Sequence, residues 1–236
     1  MQYPHAVLQA MHVKKTAMVL PEPEGKRIGQ SGVGKDISLL VLGDSSAAGV
    51  GVSNQNDALT GQLVSELAED HRVSWQLIAQ SGATTGWARE VLLQENPLNA
   101  QFVVVALGVN DVKNGVPLRV WQARIQHVLD LLAGRHGASG IYWSALPPMG
   151  RFPLLPDPLR QLLGQRSDRF DAALRGLLER HPAGRHLPLD LDLDESHMAS
   201  DGFHPGPLIY KQWAQKAADM IRDDQDLNKG ATTLLG

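Results

Sequence analysis

The feature that most constrains this chain is a repeated alternation of short apolar runs with longer amphipathic stretches. Runs rich in β-branched residues occupy 37–42, 73–79, 102–107, 140–145 and, more weakly, 186–191. Residues 57–71, 85–94, 117–133, 157–180 and 205–222 carry apolar side chains at helical spacing between and after them. Strand and helix alternating in this way predict a three-layer α/β/α sandwich, α/β in class, around a five-stranded parallel sheet. Ligands of such sheets bind beyond the carboxyl ends of the strands, so the loops after each run are where chemistry is to be sought.

The 236 residues suffice for one substantial core and are marginal for two domains. We expect one domain over 37–225, an arm and loop over 1–36 and a frayed tail over 226–236. Val7, Leu8, Met11 and Met18 fall near one face, which predicts a short helix packing on the domain. Residues 21–36, PEPEGKRIGQSGVGKD, are rich in Pro, Gly and charge and read as a loop.

With Lys+Arg 22 against Asp+Glu 25, the net charge of -3 offers no basic excess to draw the chain onto nucleic acid or an anionic membrane. A small-molecule substrate suits that balance better. Cysteine is absent, which removes disulfides, thiolate nucleophiles and Cys-based zinc sites. His12, Lys14 and Lys15 interrupt the first apolar residues, unlike a signal peptide, and no stretch reaches the length of a membrane span. A cytoplasmic enzyme is the default expectation.

The first run breaks into LGDSSAAGVG, residues 42–51, the setting of phosphate-binding loops. Known templates fail there position by position. A P-loop counted from Gly43 meets Ala48 where its second Gly should stand, and no Lys follows. A dinucleotide fingerprint counted from Gly49 and Gly51 meets Asn54 at the third glycine, and G-x-S-x-G fails at Ala47. What remains is Gly43-Asp44-Ser45 at a strand end.

Three later loops add to it. Gln80 to Thr85 contains Gly82, which lets backbone approach a ligand closely, and Thr84 or Thr85 can cap the next helix. Gly108-Val109-Asn110-Asp111 places an amide side chain at the sheet edge, able to donate to a developing negative charge. Asp201-Gly202-Phe203-His204-Pro205 can bring a carboxylate to imidazole Nδ1 and leave Nε2 free to take a proton. Each block has a bland reading as turn chemistry; their succession at strand ends is the informative observation.

In these four blocks, over 37–222, the sequence resembles the SGNH hydrolases, the GDSL esterase and lipase family, which have a flavodoxin-like fold. The resemblance implies Ser45 as nucleophile, His204 as base, Asp201 as its orienting acid, and an oxyanion hole from the N–H groups of Ser45 and Gly82 and the Asn110 amide. Neither cofactor nor metal is implied. Ser46 stands where the family often has Leu, which bears on the shape of the acyl pocket.

Asp44 is expected to hydrogen-bond backbone and hold its turn. A rival to His204 exists in Asp194-Glu195-Ser196-His197, without the tightening Gly. The run Leu189 to Asp194 alternates Leu and Asp and reads as a solvated acidic edge rather than a metal site. Ala83, Thr84, Val109, Pro147, Met149 and Phe203 are expected to wall the pocket, and the small residues near Ser45 suggest a short acyl group. The expected activity is hydrolysis of short-chain acyl esters of small molecules. Deacetylation of carbohydrate or polyol by the same residues, and a non-catalytic binding module on the same fold, are the alternatives.

Overall fold

The computed structural model describes residues 4–16, 18–152, 155–189 and 194–233. Its centre is a six-stranded sheet of β1 (Ile28–Ser31), β2 (Lys35–Gly43), β3 (His71–Ala79), β4 (Phe102–Ala106), β5 (Gly140–Ser144) and β6 (Gly184–Leu187), in the order β1-β3-β2-β4-β5-β6. The five strands β2 to β6 are parallel, as expected, and their order reverses direction between β2 and β4. Crossovers leave a crevice at the carboxyl end of that junction.

Alternation along the strands sorts the core into two layers. Leu40 and Leu42 of β2, with Val103 and Val105 of β4, pack beneath α4 (Thr85–Gln94), α6 (Leu118–Asp130) and α7 (Leu159–Leu178). Leu39, Val41 and Val104 point the other way, against α3 (Leu59–Leu67) and α8 (Pro207–Thr233). Both faces are therefore dry, and full burial of one such side chain stabilises by about 1.5–3 kcal/mol.

Several expectations are corrected. The segment 21–36 is not all loop: β1 pairs antiparallel with β3 as an edge strand, Ile28 opposite Gln76 and Ser31 opposite Val73. The expected strand over 186–191 is β6, which starts at Gly184 and stops at Leu187; residues 190–193 of the acidic run lie outside the described residues. The first predicted domain helix is a 3-10 turn, Gln55–Asp57, followed by α3, and His71 already belongs to β3. The last helix, α8, continues to Thr233 through residues read as a tail.

The arm forms α1 (Pro4–Thr16) but does not dock through the predicted face. Leu8, Met11 and Met18 are exposed, whereas Ala6 is buried and Val13 packs on the core. Gln9 decides the orientation: its Nε2 donates to the Asp157 carbonyl (2.7 Å) and its Oε1 accepts from Leu159 N–H (3.2 Å), at the start of α7. Those bonds satisfy backbone groups at a helix end, which an apolar face could not do. Among the described residues no helix is long and apolar enough to cross a membrane.

Candidate active site

Ser45 opens α2 (Ser45–Ala48), a single helical turn set on the end of β2. Asp44 caps it: Oδ1 accepts from Ser46 N–H at 3.0 Å. Below the turn, Asp44 N–H donates to the Ala106 carbonyl (3.0 Å), so the serine stands at the β2/β4 crevice.

Opposite it, the loop before α8 presents His204, whose Nε2 lies 2.8 Å from Ser45 Oγ. His204 Nδ1 is 2.5 Å from Asp201 Oδ2, while Asp201 Oδ1 accepts from the N–H groups of Phe203 and His204, both at 3.0 Å. Burial tends to raise the Asp201 carboxyl, but the hydrogen bonds from His204 and Phe203 outweigh it and hold the group below the usual carboxylate range. An ionised carboxylate only accepts, so Nδ1 carries the hydrogen; in the neutral ring Nε2 then accepts from the Ser45 hydroxyl.

The histidine loop is held from both sides. Ala199 N–H donates to the His204 carbonyl (2.9 Å) and Gly206 N–H to the His197 carbonyl (3.0 Å). Tyr210 Oη donates to the Val50 carbonyl (2.7 Å), tying α8 to the loop after Ser45. Next to Val50, Gly51 sits at φ +113°, and a Cβ there would come within 2.2 Å of the Pro205 carbonyl oxygen. His204, and not His197, therefore meets the serine. Asp194 of the rival pair lies in its own turn, where it accepts from Ser196 N–H (2.9 Å) and Oγ (2.5 Å).

Gly82 lies in the loop after β3 at φ +83°, and a Cβ on it would meet nothing within 4 Å. Gln80 N–H donates to the Gly43 carbonyl (3.2 Å), which ties the start of this loop to the end of β2. Asn110 is on a short helix, α5 (Val109–Lys113), where the sequence suggested a simple loop. Its buried Nδ2 donates to the Ala83 carbonyl at 3.0 Å and stands 3.4 Å from Asp44 Oδ2. One amide thus reaches both of the other loops.

Of the groups that fix these loops, sequence reasoning named the Thr84 cap and the Asp44 turn but missed Asp111. Asp111, fully buried, accepts from Thr85 N–H through Oδ2 (2.9 Å) and from Thr85 Oγ through Oδ1 (2.8 Å), with Arg124 Nη1 3.7 Å away. Thr84 is the cap of α4, accepting from Trp87 N–H (3.3 Å). Asp44 is buried as well, and burial pushes its carboxyl up to about 7 against the pull of the Ser46 N–H and the Lys113 charge.

Beside Ser45 runs a cleft of about 720 Å³, counting its open mouth. Val109, Pro147 and Phe203 line it as expected; Ala83, Thr84 and Met149 do not. Ala83 and Met149 are consumed by the core, and Thr84 by its cap. The walls that composition did not reveal are Leu146, Phe152, Leu189, Ile209 and Trp213. Phe152 meets Phe203 edge to face at 5.3 Å, and Phe203 meets the His204 ring at 5.2 Å.

Residues 41–212 match the GDSL-like lipase/acylhydrolase family, well over half of the chain. The chain belongs to that family. Its members are esterases and lipases, and the chain is accordingly a hydrolase of the GDSL/SGNH type. Among solved structures it is similar to the psychrotrophic esterase EstA from Pseudoalteromonas sp., inhibited by monoethylphosphonate, with 21% identity and a TM-score of 0.62 over 80% of this chain and 98% of that one. It is also similar to Est24, a carbohydrate acetylesterase from Sinorhizobium meliloti, with 16% identity and a TM-score of 0.58 over 79% and 99%. A third likeness is the M. smegmatis aryl esterase, 16% identical with a TM-score of 0.57 over 79% and 99%. These likenesses concern the fold. No curated protein matches the chain at a significant level.

Proposed function

We propose that the chain hydrolyses carboxylic esters with short acyl groups through a Ser45 acyl-enzyme. The observation that carries this reading is the continuous hydrogen-bonded line from Ser45 Oγ through His204 to Asp201, at 2.8 and 2.5 Å. A free alcohol attacks poorly at neutral pH. His204 Nε2 takes its proton as Oγ adds to the ester carbonyl, and Asp201 stabilises the imidazolium that forms. The same nitrogen returns the proton to the leaving alcohol, and water then repeats the sequence on the acyl-enzyme.

The tetrahedral oxyanion is met by the N–H groups of Ser45 and Gly82 and by Asn110 Nδ2. Ser45 is the first residue of its helix, so its N–H has no partner from helix geometry. Asn110 has two amide hydrogens: one is engaged by Ala83, while the contact to Asp44 at 3.4 Å is long for a hydrogen bond and the easier to exchange. Loss of such a donor costs about 3–4 kcal/mol of transition-state stabilisation. The mainly apolar walls of the cleft favour a hydrocarbon acyl group over a polyol against the serine.

A fluorophosphonate probe and p-nitrophenyl acetate test this together. Wild type labels and turns over, Ser45→Ala and His204→Ala do neither, and His197→Ala keeps both activities. An unlabelled, inactive wild type would favour a binding module. In a series of p-nitrophenyl esters beside acetylated sugars, kcat/KM is highest for short acyl esters; a preference for the sugars would replace our substrate class by carbohydrate deacetylation.

A further inference from the structure

The stretch 22–31 precedes the part of the chain that matches the family, yet it clasps the loops on both sides of the crevice. Glu22 Oε1 accepts from Ser81 N–H (2.8 Å) and from Ser81 Oγ (2.7 Å). Its other oxygen is bonded by Arg27 Nη2, and Arg27 Nη1 donates to the carbonyl of Ala79, the last residue of β3 (2.8 Å). Leu77 N–H donates to the Arg27 carbonyl (2.7 Å), which leads directly into β1. On the serine side, the Glu24 carbonyl accepts from Gln55 N–H (2.8 Å), and Gln55 Nε2 donates to the Ala48 carbonyl at the end of α2 (2.8 Å).

The Gly82 loop needs such an anchor. At Gly82 no atom beyond the adjoining residues lies within 4 Å of a Cβ position, so the tip of the loop is open on that side. What orients it are the bonds of the flanking residues: Gln80 to Gly43, Ala83 to Gln80 and to Asn110, and Ser81 to Glu22. Ser81 is the residue next to the donor. Holding its N–H and its hydroxyl on one carboxylate oxygen fixes the Gln80–Ser81 peptide and the Ser81 side chain, which leaves ψ of Ser81 as the one soft dihedral between this anchor and the next N–H. Burial tends to raise the Glu22 carboxyl, but the Ser81 hydrogen bonds and Arg27 outweigh it and hold the group below its ordinary range. The acceptor is thus ionised at neutral pH, and charge-assisted bonds of this kind are the stronger ones.

We propose that Glu22 is a positioning residue that aims the Gly82 N–H at the oxyanion, an inference that rests on the esterase reading above. Groups a fraction of an ångström out of place lose much of their effect on a transition state, whereas ground-state binding through the apolar cleft does not pass through this loop.

The test is steady-state hydrolysis of p-nitrophenyl acetate, with rates expressed per site titrated to completion by a fluorophosphonate. Glu22→Ala lowers kcat about tenfold with KM within about twofold, well short of the 10²–10³ seen when a donor is deleted. Glu22→Gln, which keeps an acceptor oxygen for Ser81, restores kcat to within about threefold of wild type, the difference between neutral and charge-assisted bonds. Glu24→Ala, whose contact is through backbone, stays at the wild-type rate. If Glu22→Ala does not fold, Glu22→Asp, one methylene short of Ser81 but still charged, carries the same comparison. A role in stability alone would lower the melting temperature or the number of titratable sites and leave kcat per site intact. That result, or a rise in KM at constant kcat, overturns the proposal while a Ser45-dependent wild type keeps the esterase reading. A wild type whose activity survives Ser45→Ala overturns both.

Discussion

Replacing Asp44 by asparagine removes an ionisation that the fold opposes, and the effect should be legible as a pH dependence of stability. Asp44 is 4% exposed, and burial lifts its carboxyl from 3.8 to about 7. Between those values the folded chain holds a proton that the unfolded chain has released. Its contribution to stability is therefore full below pH 3.8 and declines by about 1.4 kcal/mol per pH unit until the group ionises in both states near pH 7. Across the window the loss is about 4 kcal/mol, a large share of the roughly 5–15 kcal/mol of a typical fold. The amide introduced by Asp44→Asn has nothing to ionise and keeps an oxygen for Ser46 N–H. Urea unfolding of both proteins, followed by the fluorescence of the five tryptophans from about pH 4.5 to 8.5, isolates Asp44 because every other group cancels in the difference. The variant should gain about 3 kcal/mol or more on wild type as the pH rises through this range. A difference flat to within about 1 kcal/mol would mean that Asp44 ionises normally and would refute the argument from burial.

Asp111→Ala strands the buried Thr85 N–H and hydroxyl and should cost about 3 kcal/mol in urea unfolding, whereas Asp111→Asn, able to accept from one and donate to the other, should cost less than half of that. Gly51→Ala puts a methyl group 2.2 Å from the Pro205 oxygen at a backbone angle that disfavours alanine, so it should displace the His204 loop and lower kcat for p-nitrophenyl acetate at least tenfold, an order-of-magnitude expectation for a misplaced base. Unchanged kcat in that variant would show that the loop yields without moving the imidazole.

The parallel sheet was legible because its strands announce themselves: Leu39 to Leu42 and Val103 to Val105 are apolar on successive residues, as burial on both faces demands. The strand β1 was not, since Ile28-Gly29-Gln30-Ser31 has no apolar alternation. Backbone pairing with β3 makes it a strand, and Gly29 leaves room for Trp75, whose ring would stand 2.9 Å from a Cβ. The end of α8 was read as a tail for a related reason: its polar residues look solvated. Just before that tail, inside the expected domain, Asp224 accepts from Tyr142 Oη (2.8 Å) and Gln225 Oε1 lies 2.8 Å from His71 Nε2, across 82 and 154 residues of sequence, so the helix is anchored to the sheet right up to where the tail was expected to begin. In the site, Ser45, Asp201 and His204 were nominated by the succession of four short blocks and the resemblance it carries, and geometry brings the same three together. Asp111 and Glu22 had no signature of their own, because their partners Thr85 and Ser81 are chosen by how loops 26 and 59 residues away happen to turn.

The hydrogen bond between His204 and Ser45 spans 159 residues of chain. At synthesis rates of roughly 5–20 residues per second, about 8–30 s separate the making of the serine from the making of its base. Throughout that interval a nascent chain carries an ordinary alcohol at position 45, as inert as any surface serine. On the proposed mechanism ester cleavage begins only when the segment before α8 has closed over the sheet, so the onset of turnover during translation is a clock for that closure rather than for the making of the serine.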